Sequence, residues 1–240
     1  MLSFNPVEAP RYGTVGHVMT GVTVGIQALG DHKLLAEVSG DDYPSDLTTE
    51  EGEIVARGPN IMKGYWNNDE ATREAIDADG WYHTGDVGRF DGGYLTITDR
   101  IKHMIVSKGG KNIYPGPIEE QFVTDPLIEQ IMVIGEGREY LTALVVPGMD
   151  ALMAFATAQG VAYERPSELL EKDEVAQLYR KTFRSYSRTA AAHEKIRDFR
   201  LIADPFTVEN ELMTPTMKLK RRAIESRYAD LIDAMYAQVV

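Results

Sequence analysis

Apolar positions fall into two textures along the chain. Up to about residue 100 they come in short runs separated by Gly, Asp and Thr. VTVGIQAL (22–29), KLLAEV (33–38) and EIVARG (53–58) are β-branched or apolar runs bounded by turn residues, and predict strands. GDDYPSDLTTEEG (40–52) is acidic and turn-rich and predicts an exposed loop. NNDEATREAI (67–76) sets Asn or Asp before a helical pattern with Glu in the first turn, and predicts a short helix. GWYHTGDVGRF (80–90) and GGYLTIT (92–98) predict two strands around a Gly-rich turn, and KHMIVS (102–107) predicts another.

Beyond that point the spacing lengthens. PIEEQFVTDPLIEQ (117–130) predicts a helix interrupted or ended at Asp125-Pro126. IMVIGE (131–136) and LTALVVP (141–147) predict a hairpin. From Met149 to about Lys195 the pattern is helical. One stripe runs through Leu152, Phe155, Ala156 and Gln159, another through Val175, Leu178, Tyr179, Thr182 and Phe183. FRLI (199–202) predicts a further strand, and 222–240 a closing amphipathic helix with Ile224, Tyr228, Leu231, Ile232 and Tyr236 on one side. The expected fold class is α+β: a β-rich part, residues 1–99, followed by a small α+β domain, residues 100–240.

Charge sharpens that boundary. Residues 1–99 carry 6 Lys and Arg against 17 Asp and Glu, whereas residues 100–240 carry 19 against 20. The overall net charge of −12 argues against a nucleic-acid partner. Hydrophobic residues at 43% and charged residues at 26% exclude fibrous and fully disordered classes. With no cysteine there is no disulfide, thiolate metal site or Cys nucleophile. No apolar run approaches the roughly 18 residues of a membrane helix. The expected location is the cytoplasm. A basic face of Arg180, Lys181, Arg184 and Arg188 would allow peripheral membrane contact, although a solvated helix face is the ordinary reading of such a run.

The chemistry concentrates in YHTGDVGRFDGGYLTITDRIKHMIVSKGGKNIYPGPIEE (82–120). Asp86 follows Thr84-Gly85 at the end of a predicted strand, where a carboxylate can accept hydrogen bonds from both hydroxyls of a ribose. Arg100 follows Asp99 at the end of the next, and its guanidinium can donate to the same sugar or to a phosphate. Taken singly, each is more ordinarily a turn or surface residue. The five histidines, at 17, 32, 83, 103 and 193, show no metal-ligand spacing. Tyr65-Trp66 and Trp81-Tyr82 are expected to be packing residues.

Four ordered motifs change the weighting. YHTGD, then ITDRIKHMIVSKGGKNIYPGPIEE, the upstream GEIVARGPNIMKGYWNN (52–68) and the late ENELMTPTMKLKRRAIESRY (209–228) together resemble the AMP-forming adenylating enzymes. The form of the last motif is most similar to long-chain fatty-acid–CoA ligases. The resemblance implies ATP, Mg2+ and CoA as cofactors and cosubstrates, and a fatty acid as substrate. It implies that Asp86 holds the ribose hydroxyls, Ile97 lines the nucleotide pocket and Arg100 reaches ribose or phosphate. Asp99 to Lys102 would be the hinge before a mobile C-terminal lid. Lys108, Gly109 and Gly110 would form the loop that approaches CoA. Lys218 would be the catalytic lysine that holds carboxylate and α-phosphate together. Most of the family has Gly before this lysine, whereas Met217 stands here, a departure that points to the long-chain branch.

The resemblance begins part-way through the family. A Gly/Ser/Thr-rich phosphate loop, the Tyr-Gly-x-Thr-Glu motif whose Glu helps hold magnesium, and the acyl tunnel would lie upstream of residue 1. The chain is therefore expected to be a C-terminal fragment, inactive alone, whose partner is the N-terminal domain of the same enzyme. A stand-alone module that binds a nucleotide or a partner chain is the alternative. Whether the acceptor thiol belongs to CoA or to a carrier protein stays open.

Overall fold

In a computed structural model every residue is described except Tyr43, Thr189 and 238–240. The end of the predicted closing helix and one position of the 40–52 loop lie outside the described residues. Contacts divide the chain into two units, Met1–Met104 and Ile105–Val240.

The first unit is built on strands β1 (Ser3–Phe4), β2 (His17–Val18), β3 (Thr23–Gln27), β4 (Leu34–Ser39) and β5 (Gly52–Arg57), helix α1 (Asp69–Ala75), and strands β6 (Tyr82–Asp91) and β7 (Tyr94–Arg100). Five of the strands form an antiparallel sheet in the order β4-β3-β5-β6-β7, and β1 pairs with β2. Alternation decides the faces: Val24 and Ile26 of β3, Ile54 of β5, Phe90 of β6 and Leu95 of β7 meet in one buried cluster. Asn68 caps α1 by accepting the Ala71 N–H, yet α1 buries no residue. Just before it Trp66 is 91% exposed, against the expectation of a packing role. The turn there runs through Asn67 at φ 49°. Trp81 does pack, 3% exposed, with the Arg57 guanidinium 3.7 Å above its ring.

The second unit contains β8 (Ile105–Val106), β9 (Asn112–Ile113), α2 (Pro115–Phe122), β10 (Ile128–Ile134), β11 (Leu141–Pro147), α3 (Met149–Gln159), α4 (Asp173–Tyr186), β12 (Ile196–Leu201), α5 (Arg221–Arg227) and α6 (Ala229–Ala237). Its sheet has the order β10-β11-β12, antiparallel then parallel. Both faces are covered. Ile131, Val133, Ala143 and Val145 join one cluster with Phe122, Leu152, Tyr179 and Phe183 of α2, α3 and α4. Met132, Ile134, Leu144 and Val146 join another with Ile224, Ile232 and Met235 of α5 and α6. This two-sided burial is why IMVI and LTALVV read as unbroken apolar runs.

Three expectations change, and one left open, the fate of the helix at Asp125-Pro126, is decided. KHMIVS is mostly not a strand: residues Ile101–His103 form a single 3₁₀ turn and only Ile105–Val106 pair. The Asp99 carboxylate accepts the Arg100 N–H at 2.6 Å and lies 3.4 Å from His103 Nδ1, favouring the turn. Residues 127–130 are not helical. Pro126 has no N–H, Asp125 Oδ1 accepts the Leu127 N–H, and Ile128 already pairs with Pro147. The helical stretch from Met149 ends at Tyr186, not near Lys195, and is itself broken by a 3₁₀ segment, Pro166–Glu171. The closing helix is two helices, because Tyr228 leaves helical geometry at φ −110°, ψ 23°, so that Ile224 on one side and Ile232 and Met235 on the other all sink into the same core.

Candidate functional site

Asp86 stands on a bulge. Between the pairs Glu53↔Val87 and Val55↔His83 the register of β6 slips against β5, and Thr84, Gly85 and Asp86 stand opposite the single Ile54. Gly85 takes φ +70°, a conformation an L side chain adopts only at a cost of about 1–2 kcal/mol. The Thr84 hydroxyl donates to the Ile54 carbonyl at 2.6 Å and accepts the Asp86 N–H at 3.1 Å. Further along β6, Gly88 lies so close to β7 that a Cβ would meet the Thr96 carbonyl oxygen at 2.2 Å, and the β6–β7 register shifts there as well.

The Asp86 carboxylate is partly exposed. Arg100 Nε donates to its Oδ1 at 3.0 Å across the paired ends of β6 and β7. Its Oδ2 has no protein partner among the described residues and can accept a ligand hydroxyl. Ile97, opposite Gly88, is 45% exposed on β7 and offers an apolar surface. Asp99 lies one residue before the end of the same strand with its side chain 8% exposed, and Lys102 is exposed in the turn before the unit boundary.

A network beneath the bulge was not singled out from the sequence. Glu53 is buried at 6% exposure and accepts both the Gly85 N–H, at 3.2 Å, and a hydrogen bond from His83 Nδ1, at 2.9 Å. His83 Nε2 lies 3.5 Å from Asp77 Oδ2. A buried carboxylate needs such partners. The signal was available: Glu53 and His83 sit inside the GEIVARG and YHTGD motifs, at positions with no ligand role to attract attention.

In the second unit the remaining candidates sit on two tight loops. Ser107 organises one: its carbonyl accepts the Gly110 N–H at 2.8 Å and its Oγ the Lys111 N–H at 3.1 Å, with β8 and β9 pairing behind. Gly110 takes φ +72°, and a Cβ on Gly109 would meet nothing nearer than 4.0 Å, so this backbone is open to a ligand. The Lys108 ammonium bonds Glu139 at 2.7 Å, which holds the Glu139 carboxyl below its ordinary value.

Lys218 lies on the loop between β12 and α5. Met213 bridges Leu219, the Thr214 N–H bonds the Lys218 carbonyl at 2.8 Å, and the Thr214 Oγ accepts the Lys218 N–H at 3.0 Å. Met217, immediately before the lysine, takes φ +60°. The ammonium is exposed and has no ion-pair partner among the described residues. Of the neighbouring cations Arg221 has a structural task. It pairs with Glu119 of α2 and donates to the Val133 carbonyl at 3.0 Å, while Glu119 also accepts the Val133 N–H at 2.7 Å. The start of α5 is thereby tied to α2 and β10, three residues from Lys218.

Comparison with known proteins matches residues 102–240 to the AMP-binding enzyme C-terminal domain. Long-chain-fatty-acid–CoA ligase FadD15 of Mycobacterium tuberculosis is 32% identical over 233 residues, covering 92% of this chain and 37% of that protein. The peroxisomal long chain acyl-CoA synthetase 7 of Arabidopsis thaliana is 35% identical over 214 residues, 85% of this chain and 30% of that one. The chain thus spans about a third of the length of these curated relatives. Among solved structures, the A domain of carboxylic acid reductase from Segniliparus rugosus, in complex with AMP and a co-purified carboxylic acid, superposes with a TM-score of 0.68 at 27% identity, over 97% of this chain and 34% of that one. With motifs, sheet and family match in agreement, this chain belongs to the AMP-binding enzymes, residues 102–240 being their C-terminal domain.

Proposed function

We propose that this chain is the C-terminal portion of an ATP-dependent long-chain fatty-acid–CoA ligase. Fatty acid and ATP would give acyl-adenylate and pyrophosphate, and the CoA thiol would then take the acyl group and release AMP. The observation that carries the reading is Asp86 at the apex of the Gly85 bulge, one oxygen bound to Arg100 and the other without a protein partner. Vicinal hydroxyls of a ribose suit that acceptor. The names of the relatives supply the acyl class.

Each remaining residue has a task in that scheme. Adenylation brings a carboxylate to an α-phosphate, and negative charge grows on the non-bridging oxygens. An ammonium free of protein partners, as on Lys218, lowers that barrier, and one such contact is worth a few kcal/mol, roughly a hundredfold in rate. The open backbone at Gly109 and Gly110 would admit the thiol in the second half-reaction. Rotation at residues 99–102 would bring different loops of the second unit into play in the two steps. Among the described residues no group of three or more His, Asp or Glu could hold a metal ion. The magnesium that accompanies ATP is therefore not assigned to them, and no step here runs through it.

The test is Lys218→Ala in the full-length ligase. Adenylation should fall about a hundredfold or more, while thioester formation from supplied acyl-adenylate is spared. Equal loss of both steps would overturn the assignment. The 240-residue chain by itself should release no pyrophosphate from fatty acid and ATP.

A further inference from the structure

Helix α4 and strand β12 of the second unit enclose an open cleft of about 490 Å³ that the reaction above does not use. Arg180 and Arg184 project into it from α4, one turn apart. Lys195, just before β12, and Arg197, on it, also line the cleft. Phe183 and Phe199 form an apolar floor, their rings stacked at 4.7 Å and 10°.

Three of the cations are unmatched. Arg180, Arg184 and Lys195 make no ion pair among the described residues, whereas Arg197 has the Tyr140 ring 5.4 Å from its guanidinium and helps to lower the Glu139 carboxyl. The cleft's one carboxylate, Asp198, is already engaged. Its Oδ2 accepts from Arg200 at 2.7 Å and its Oδ1 from the Phe199 N–H at 2.9 Å. Residues 180–200 carry seven Lys and Arg against two acids, in a chain whose net charge is −12. Like charges one helical turn apart repel. Their convergence over an apolar floor, where the effective dielectric is lower than in water, raises that cost and strengthens any bound anion.

We propose that this cleft binds a phosphomonoester. Two arginines and a lysine offer the forked and point-like donors that a phosphate dianion accepts. The volume lies within the range of small-molecule sites and exceeds what a bare phosphate fills, so the organic group it carries would lie against Phe199. A soluble phosphorylated molecule and the headgroup of phosphatidic acid share this chemistry. The lining includes neither Asp86 nor Lys218, so the fate of this site does not depend on the ligase reading.

The test uses the chain with phenyl phosphate as probe, followed by calorimetry, and with vesicles of phosphatidylcholine with or without phosphatidic acid, followed by co-sedimentation. Phenyl phosphate should bind in the millimolar range or tighter, and weaken about tenfold or more in Arg180→Gln/Arg184→Gln and in Lys195→Gln. The three side chains are exposed, on two different elements, and thermal unfolding will show that each variant is folded. Capture on phosphatidic acid vesicles that phenyl phosphate competes away identifies a lipid source. Phenyl phosphate binding without such capture identifies a soluble one. Absence of binding to either probe, binding unchanged in both variants, or equal attachment to vesicles lacking phosphatidic acid would overturn the proposal.

Discussion

Asp86 in the first unit and Lys218 in the second solve the same geometric problem with different residues. Each charged side chain directly follows a residue in the left-handed region: Gly85 at φ +70° and Met217 at φ +60°. Such a residue reverses the local backbone and projects the next side chain away from its support. Around Gly85 the support is a sheet with a buried carboxylate beneath the bulge, Glu53 accepting the Gly85 N–H. Around Met217 it is a loop on the surface, closed by the Thr214 hydroxyl and anchored through Arg221 and Glu119. A glycine that meets the conformational demand leaves the loop with no strain to hold. A methionine leaves that strain to be offset by the bonds around it.

Breaking the anchor should give the largest effect. In Glu119→Ala, Arg221 loses its carboxylate while both side chains sit largely out of solvent, at 18% and 15% exposure. The Val133 N–H loses its acceptor as well. We expect about 2–3 kcal/mol of destabilisation, confined to the second unit. Hydrogen exchange at β11 amides would report it there. Fluorescence of Trp66 and Trp81, the only two tryptophans and both in the first unit, would not move. A shift in both probes would mean that the pair does more than hold one unit.

A reciprocal swap sharpens the comparison at smaller cost. A Cβ on Gly85 would meet no atom within 4 Å, so Gly85→Ala tests conformation alone. It should cost about 1 kcal/mol, the left-handed penalty less the entropy that alanine removes from the unfolded chain. Met217→Gly runs the other way. Relief of strain is largely offset by the freedom glycine gains on unfolding, leaving under about 0.5 kcal/mol of net stabilisation. Urea midpoints read by the tryptophans for Gly85→Ala, and by β11 exchange for Met217→Gly, check both signs. A clear destabilisation by Met217→Gly would show that the exposed thioether makes contacts the backbone argument ignores.

The same contrast explains what the sequence made legible. Short apolar runs bounded by turn residues predicted the five-stranded sheet of the first unit, and unbroken runs predicted β10 and β11, because burial writes itself into hydrophobicity. Asp86 and Arg100 were legible as charged residues at the ends of predicted strands, and Lys218 through the resemblance of its motif. Their supports were not. Glu53 reaches Gly85 across 32 residues and Arg221 reaches Glu119 across 102, distances over which no local pattern carries a signal. The break at Tyr228 was hidden for a related reason. No proline or glycine marks it, and packing of Ile224 and Ile232 onto one core decides it. Ile101–His103 escaped because a three-residue turn leaves apolar spacing indistinguishable from that of a strand.

The smallest prediction asks whether Arg221 belongs to Glu119 alone. Glu225 lies one turn along α5 from Arg221, and burial raises its carboxyl above the ordinary value of 4.5, with Arg221 pulling the other way and Glu136 adding to the rise. A carboxyl raised in the folded state binds its proton more tightly there than in the unfolded chain. Its contribution to stability is therefore full below 4.5 and is lost as pH rises through the folded value. Glu225→Gln removes that loss. Near neutral pH the variant should be more stable, by under about 0.5 kcal/mol once solvent screening of a half-exposed group is allowed for. In acid below 4.5 the two proteins should coincide. Paired urea titrations at the two pH values, read at β11, decide it. If Glu225→Gln were instead the weaker protein at neutral pH, Arg221 would be shared between two carboxylates. The anchor under Lys218 would then be a three-membered network rather than a single pair.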